Sequence, residues 1–350
     1  MLSKVRIVGS GLIGTSIGLG LVQQGIAVEM IDSDLSTQAL AQDLIGGAGV
    51  VHPELVVLAI PTSALTQVIK EELSLNPQST FMDVGSVKNE VVLKVQTFSE
   101  LSRRFLPTHP MAGREIGGAS SARADLFQGR SWILTPTQDC LPESKALVIE
   151  LIETLGATPI ELSATDHDAA VAKISHLPQI TSSLLAKQLR GTPVEWMELA
   201  GQGLRDTTRI AASDEQLWKE IIHSNRAEIS ELLISLQNDL NQMINSLGEP
   251  AQIAELIAAG RAGKDLIPGK HGGRAREYSY VPIVIDDKPG QLGAIFNECA
   301  AMQVNVEDLN IEHSPGQLSA LITLSLSSSD AEKLSAHLTS IGWNVHPVRK

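Results

Sequence analysis

Short runs of β-branched and aliphatic residues alternate with amphipathic stretches over the first 165 residues, at 5–8, 27–31, 55–59, 80–84, 104–107 and 131–135. Strands this short, separated by helix-sized segments, predict repeated βαβ units and a mostly parallel, doubly wound sheet with its ligand at the strand ends. From 166 the strand signal stops. Ser213 with Gln216 three residues later reads as a capping box, after which Leu217, Ile221, Ile229, Leu232, Leu236, Leu240, Ile244 and Leu247 recur at helical spacing. This predicts one unbroken helix from 213 to 247, whose long apolar stripe suits packing against a second copy of the chain or within an intramolecular bundle.

Between 250 and 277, Gly260-Arg261-Ala262-Gly263-Lys264 and Pro268-Gly269-Lys270-His271-Gly272-Gly273 read as a loop-rich, locally basic connector. Beyond it the pattern is strand 281–285, helix 292–302, strand 304–312, a turn at Ser314-Pro315-Gly316-Gln317, strand 318–326, helix 330–341 and strand 343–348. That order is a βαββαβ module of ferredoxin-like type. The expected plan is therefore a dinucleotide-type α/β domain over 1–165, an all-helical domain over 166–250, a connector over 251–277 and the βαββαβ module over 278–350.

A chain of 350 residues exceeds one ordinary core and suits this multi-domain plan. The net charge of −13 opposes phosphate backbones and anionic lipid, and no basic patch of adequate density offsets it, so neither nucleic acid nor membrane is expected as a partner. Cys140 and Cys299 are far apart, which fits a reducing compartment and supplies neither a disulfide scaffold nor a metal set. The first strand begins within a few residues of Met1 and no apolar run spans a bilayer, so a cytoplasmic protein without a signal peptide is expected.

The chemistry starts at Gly9-Ser10-Gly11-Leu12-Ile13-Gly14, set between a predicted strand and a predicted helix. There Gly9 permits the tight turn, Gly11 lets backbone approach a pyrophosphate and Gly14 allows close helix-to-strand packing, with the helix N-terminus facing the anion. Asp32 ends the second strand, where a carboxylate accepts from ribose hydroxyls and repels a ribose phosphate, which favours NAD over NADP; Asp34 is close enough to share that task. Downstream, His109-Pro110-Met111-Ala112-Gly113-Arg114-Glu115 follows Asp83-Val84-Gly85-Ser86-Val87-Lys88. It places an imidazole in a Pro- and Gly-bounded loop where such a sheet delivers side chains to a nicotinamide, and so points to hydride transfer from an alcohol.

Together with Asp125-Leu126-Phe127-Gln128-Gly129-Arg130, Ser175-His176-Leu177-Pro178-Gln179 and Arg205-Asp206-Thr207-Thr208-Arg209, these segments resemble the prephenate and arogenate dehydrogenases of tyrosine biosynthesis. The resemblance runs from the first strand through Lys270-His271-Gly272. Asp287-Lys288-Pro289-Gly290-Gln291-Leu292 looks like the entry to an ACT domain, an amino-acid-sensing unit carried by some members. The fold so implied is a Rossmann-type sheet, an all-helical dimerisation domain and a C-terminal ACT domain, assembled as a homodimer.

Prephenate is a cyclohexadienol; loss of hydride from its carbinol carbon, then of carbon dioxide, leaves a phenol, and aromatisation drives the step. Such a reaction needs a placed NAD, a polariser of the hydroxyl and anchors for two carboxylates, with no metal and no covalent nucleophile. The resemblance implies that His109 is the polariser, taking the hydroxyl proton in its neutral form, with Ser86 hydrogen bonding at the same oxygen or on the nicotinamide side. Arg209 would be the bidentate anchor of the side-chain carboxylate. His167, His176, Gln179 and Trp218 would line or order the substrate pocket, Glu115 would gate its entrance, and Pro61 and Thr62 would touch the dinucleotide. Some relatives carry histidine at the position of Gln179, which leaves keto-acid against amino-acid substrate open.

Gly290 and Asn305 match ACT positions that bind an amino acid between subunits, with tyrosine the expected effector; a passive dimerisation module is the other reading. Plainer roles stand beside these: a ligand-free glycine turn, a solvated Asp32, a turn histidine at 109, an Arg209 paired with Asp206 or Asp214, and His176 or Trp218 as core. Three competing functions are an arogenate dehydrogenase, a β-hydroxyacid dehydrogenase, whose catalytic lysine would need a glycine-led setting that Lys173 lacks, and a non-enzymatic NAD and amino-acid sensor.

Overall fold

A computed structural model describes residues 2–47, 49–114, 116–267, 278–313 and 319–349. The chain divides into two compact units, Met1–Asn238 and Asp239–Lys350. Among the described residues no helix is long and apolar enough to cross a membrane.

In the first unit β1 (Lys4–Val8), β2 (Ala27–Ile31), β3 (Leu55–Leu58), β4 (Thr80–Asp83) and β5 (Phe105–Leu106) form a parallel sheet in the order β2-β1-β3-β4-β5. Helices α1 (Leu12–Gln23), α2 (Leu35–Ile45), α3 (Leu65–Leu75), α4 (Asn89–Gln96) and the short α5 (Ser99–Ser102) connect them. The period of two along β3 explains why both faces are covered. Leu55 and Val57 join a core with Ile17, Leu21 and Met30, whereas Val56 and Leu58 join another with Leu65, Ile69, Phe81 and Val95. The strand order reverses direction between β1 and β3, so the crevice beyond their carboxyl ends is the expected ligand site of an α/β sheet.

Two of the expected strands do not both belong to this sheet. Only Phe105–Leu106 pairs with β4; Ser131–Leu134, as β7, joins β6 (Thr108–Pro110) and β8 (Thr158–Glu161) in a separate three-stranded sheet. Pro107, which has no amide hydrogen to continue the parallel ladder, stands at the switch. His109 is consequently held in a strand, opposite Ile133, and not in a free loop. Helix α6 (Pro142–Thr154) covers this part of the sheet.

The helical region follows as α7 (Ala164–Val171), α8 (Leu177–Gln188), α9 (Val194–Met197), α10 (Gln202–Thr208), α11 (Glu215–Ser224) and α12 (Arg226–Asn245). A π turn at Ala172–His176 joins α7 to α8. Its wider spacing relieves the clash that Pro178 would make with the carbonyl four residues back in a regular helix. The expected single helix from 213 to 247 is two helices meeting at Asn225, whose side chain turns inward to hydrogen-bond buried groups. Its start also differs: Asp214, not Ser213, caps α11, accepting from Leu217 N at 2.8 Å, while the Ser213 hydroxyl donates back to Ile210 O at 2.7 Å.

In the second unit, Pro250–Lys264 is helix α13, where a loop-rich connector is expected. Five alanines and a first-turn proline outweigh Gly260 and Gly263 there. The basic run 268–273 and the turn 314–317 lie outside the described residues. Strands β9 (Ser279–Asp286), β10 (Asp308–His313), β11 (Ser319–Leu326) and β12 (Asn344–Val345) form an antiparallel sheet in the order β10-β11-β9-β12. Helices α14 (Gln291–Ala301) and α15 (Ser328–Ser340) contribute Ile295, Cys299, Leu334 and Leu338 to a core with Val281, Ile283, Ile322 and Leu324.

Candidate active site

At the end of β1 the chain turns through Gly9 with φ +105°, and a Cβ there would stand 2.1 Å from Ala59 O. A Cβ on Gly14 would stand 2.0 Å from Gly9 O, so neither position admits a side chain. Gly11 differs: nothing lies within 4 Å of where its Cβ would be. Leu12 and Ile13 open α1, whose first turn has neither a side-chain cap nor an acidic residue. Unsatisfied N–H groups and the positive end of the helix dipole therefore border open space beside Gly11, a cradle fitted to a pyrophosphate.

Asp32 stands one residue beyond β2. Its Oδ2 accepts from Ser10 N at 2.7 Å and its Oδ1 from Asp34 N at 2.9 Å, which fixes the carboxylate beside the glycine turn with lone pairs to spare. Asp34 is engaged otherwise. It caps α2, accepting from Ser36 N, Ser36 Oγ and Thr37 Oγ1 at 2.8–2.9 Å. Pro61 and Thr62 follow β3 at the same end of the sheet; Thr62 opens a 3₁₀ turn and its carbonyl accepts from Lys94 Nζ at 2.6 Å.

The loop after β4 is locked by a buried ion pair that sequence reasoning did not single out. Asp83 Oδ2 accepts from Lys88 Nζ and from Gly85 N at 2.9 Å, and its Oδ1 accepts from Thr108 N at 3.1 Å. Lys88 Nζ also donates to Thr108 O at 2.5 Å, and Trp132 Nε1 donates to Thr108 Oγ1 at 2.9 Å. Burial pushes the Lys88 pKa down against the opposing pull of Asp83. The half-buried Ser86 is thus carried on a loop fastened to β6, one residue before His109.

His109 Nδ1 lies 2.8 Å from His167 Nε2, with the rings at 72°. His167 Nδ1 in turn lies 2.7 Å from Asp168 Oδ1. Asp168 caps the neighbouring helix from outside, accepting from Lys88 N at 2.8 Å and Asn89 N at 2.9 Å. Desolvation above all holds the His109 pKa well below the usual histidine value, so the ring is neutral at physiological pH. Burial likewise lowers His176 to about 4. Asn225 Nδ2 donates to Asp168 O at 2.8 Å and lies 3.1 Å from His176 Nδ1, while Trp218 meets the His176 ring edge-on at 6.0 Å.

The structure therefore joins His109, His167, His176 and Trp218 in one chain of contacts. His167 is 0% and His176 1% exposed, so both stand buried beside the partly exposed His109. Gln179 is also buried: its amide donates to Ile210 O at 2.9 Å, which secures the 3₁₀ turn Arg209–Ala212, and its Oε1 lies 3.3 Å from Ser213 Oγ. Arg209 begins that turn with an exposed side chain. Glu115 lies outside the described residues. Asp83, Lys88, Asp168 and Asn225 were missed. The one available signal was two acids, each next to or five residues from a basic group in segments already suspected of chemistry.

A glycine cradle with a strand-end acid, and a neutral histidine on a strand tied to the carboxyl end of β4, define a dinucleotide-dependent dehydrogenase. The comparisons narrow this: residues 23–161 match the prephenate dehydrogenase nucleotide-binding domain and 163–258 its dimerization domain. The chain belongs to the prephenate dehydrogenase family. It is 28% identical to the probable prephenate dehydrogenase NovF of Streptomyces niveus over 96% of this chain and 98% of that protein. Among solved structures, prephenate dehydrogenase from A. aeolicus in complex with hydroxyphenyl propionate and NAD+ is similar, with TM-score 0.66 and 27% identity over 75% of this chain and 96% of that one. The Synechocystis arogenate dehydrogenase is similar at TM-score 0.63 and 26% identity, over 75% of this chain and all of that one, 100%.

Proposed function

We propose that the chain is an NAD-dependent prephenate dehydrogenase, converting prephenate to 4-hydroxyphenylpyruvate and carbon dioxide with formation of NADH. The observation that carries this is a His109 held neutral by burial and backed by His167, on a strand tied through Thr108 to Asp83 at the carboxyl end of β4, the end of the sheet that also bears the glycine turn and Asp32. NAD would supply the hydride acceptor; the Gly9–Gly14 turn would hold its pyrophosphate and Asp32 its ribose, with Pro61 and Thr62 beside them, and the carboxylate of Asp32 would disfavour a ribose phosphate.

His109 accepts the proton of the ring hydroxyl, which raises electron density on that oxygen and favours hydride loss from the carbon beneath. When the ring carboxylate leaves as carbon dioxide, its bonding pair enters the ring and the same oxygen becomes a phenolate. The proton on His109 is then returned to it, so the histidine ends neutral. Ser86 donates at this oxygen or beside the nicotinamide, and the Arg209 guanidinium holds the side-chain carboxylate bidentately.

His109→Asn tests this. The expected result is a kcat about 10²–10⁴-fold lower with little change in KM, because the lost interaction forms mainly in the transition state. Unchanged turnover would overturn it. Arogenate, which has an ammonium where prephenate has a ketone, is the second reading, supported by the likeness to an arogenate dehydrogenase; parallel assays with both substrates and with NAD and NADP separate the two. A sensor without activity would bind NADH and turn nothing over.

The assembly is a homodimer through the helical region. Supporting this, Val194, Trp196 and Leu199 are 73%, 67% and 82% exposed in the single chain, in the segment matching the dimerization domain. The second unit is an ACT-type regulatory module, supported by its βαββαβ order and by Gly290, which opens α14 at φ +91°. Asn305, which donates to Glu307 Oε1 at 2.8 Å, stands before β10, and tyrosine is the effector proposed for these positions.

A further inference from the structure

We infer that His167 and Asp168 are positioning residues that decide which nitrogen of His109 takes the substrate proton. The inference rests on the proposed role of His109 and adds what makes its outward nitrogen the basic one.

A carboxylate only accepts hydrogen bonds, so the contact between Asp168 Oδ1 and His167 Nδ1 at 2.7 Å puts hydrogen on His167 Nδ1. A His167 that carries only this hydrogen has a lone pair at Nε2, and the 2.8 Å contact to His109 Nδ1 then requires the hydrogen there to belong to His109. With Nδ1 protonated, the one remaining lone pair of His109 is at Nε2, the nitrogen away from the relay. For a His167 with a single proton each later step follows from the one before it, and the first is secured by the backbone. Asp168 accepts from Lys88 N and Asn89 N, and those bonds with His167 keep its carboxyl ionised despite burial. Its own carbonyl is pinned by Asn225.

The opposite arrangement is unproductive. If His167 were protonated, its Nε2–H would donate into His109 Nδ1, and the His109 hydrogen would move to Nε2 and block the acceptor. The charged and titratable groups around the pair are Asp168, Lys88 with its partner Asp83, and His176. After proton uptake, Nδ1–H of the His109 cation still donates to His167 Nε2, with the Asp168 charge at the far end of the relay.

The test uses the full-length enzyme with ring-¹⁵N-labelled histidine, the His109 resonances being assigned by their absence in His109→Asn. In the resting enzyme His109 is expected to show a protonated Nδ1 and an unprotonated Nε2. His167→Phe, which removes the acceptor, is expected to mix the two tautomers and lower kcat about 100-fold with KM nearly constant. His167→Gln, whose Oε1 can accept from Nδ1, is expected to recover kcat to within about tenfold of wild type. A resting His109 with hydrogen on Nε2 overturns the inference, as does an equal loss in the Phe and Gln variants with an unchanged tautomer. Should His167→Phe fail to fold, the wild-type spectrum alone decides. If the tautomer is as described yet His109→Asn turns over normally, the relay stands and the proposed role of His109 falls.

Discussion

His176 offers a quantitative test of the buried network. Its Nδ1 receives the second hydrogen of the Asn225 amide, the first going to Asp168 O. A proton added at Nδ1 would set donor against donor in a site 1% exposed, and burial holds the pKa at about 4 against 6.5 for a free histidine. The sign follows directly: between those values the unfolded chain binds a proton that the folded chain refuses, so stability is complete above about 6.5 and is lost as pH falls toward 4. From pH 7 to pH 5 the loss amounts to about 2 kcal/mol, within a limit of about 3 kcal/mol for the whole shift.

His176→Gln removes the titrating group and leaves every other one in place, including His109. Urea unfolding of both proteins at pH 5, 6 and 7, at one protein concentration and followed by tryptophan fluorescence, reads the transition that carries Trp218 against the His176 ring. The stability advantage of wild type over the variant is expected to shrink by about 2 kcal/mol between pH 7 and pH 5. Parallel pH dependences of the two proteins would refute a neutral, desolvated His176.

Three further outcomes are expected. Gly14→Ala drives a Cβ into Gly9 O and lowers Tm, whereas Gly11→Ala, whose Cβ meets nothing, keeps Tm and weakens NADH binding at least about tenfold by fluorescence titration. Equal NADH affinity in Gly11→Ala would remove the pyrophosphate from that opening. Lys88→Met leaves the Asp83 carboxylate buried without its cation and costs about 3–5 kcal/mol in denaturant unfolding, much of it regained in Asp83→Leu with Lys88→Met; additive losses would contradict the pairing. Tyrosine raises the Tm of the intact chain and lowers its activity, and Asn305→Ala abolishes both effects; no response in wild type would leave the second unit a passive module.

The parts of the fold legible in the sequence are those set by local periodicity. The continuous apolar run 55–58 announces a strand buried on two faces, and the 9–14 turn between strand and helix announces a nucleotide cradle. What was not legible depends on partners distant in the chain. Pro107 diverts His109 from the parallel sheet into a second one, and nothing before Thr108 indicates that Ser131–Leu134 will receive it. Asn225 looks like a surface residue on an apolar-striped helix until Asp168 and His176 appear opposite it. His167 and Asp168 are adjacent in sequence, yet their joint role needs His109, 58 residues away, to complete it. The helix at Pro250–Lys264 was obscured by weighting two glycines above the alanines around them.

Asp168 ties these distant pieces into one mechanism. Its side chain accepts from the backbone of Lys88 and Asn89, which begins the helix immediately after the Ser86 loop, and from the imidazole that orders His109. Lys88, positioned through its backbone by Asp168, reaches back to Asp83 and Thr108 and so sets the height of β6 above β4. Moving the helical region relative to the sheet would therefore disturb the Ser86 loop, the His109 strand and the His109 tautomer together. That coupling explains why so many polar groups are buried here. Each is satisfied only when the Ser86 loop and the helix bearing His167 are in register, so the base role proposed for His109 would be available only in the arrangement that also closes the network.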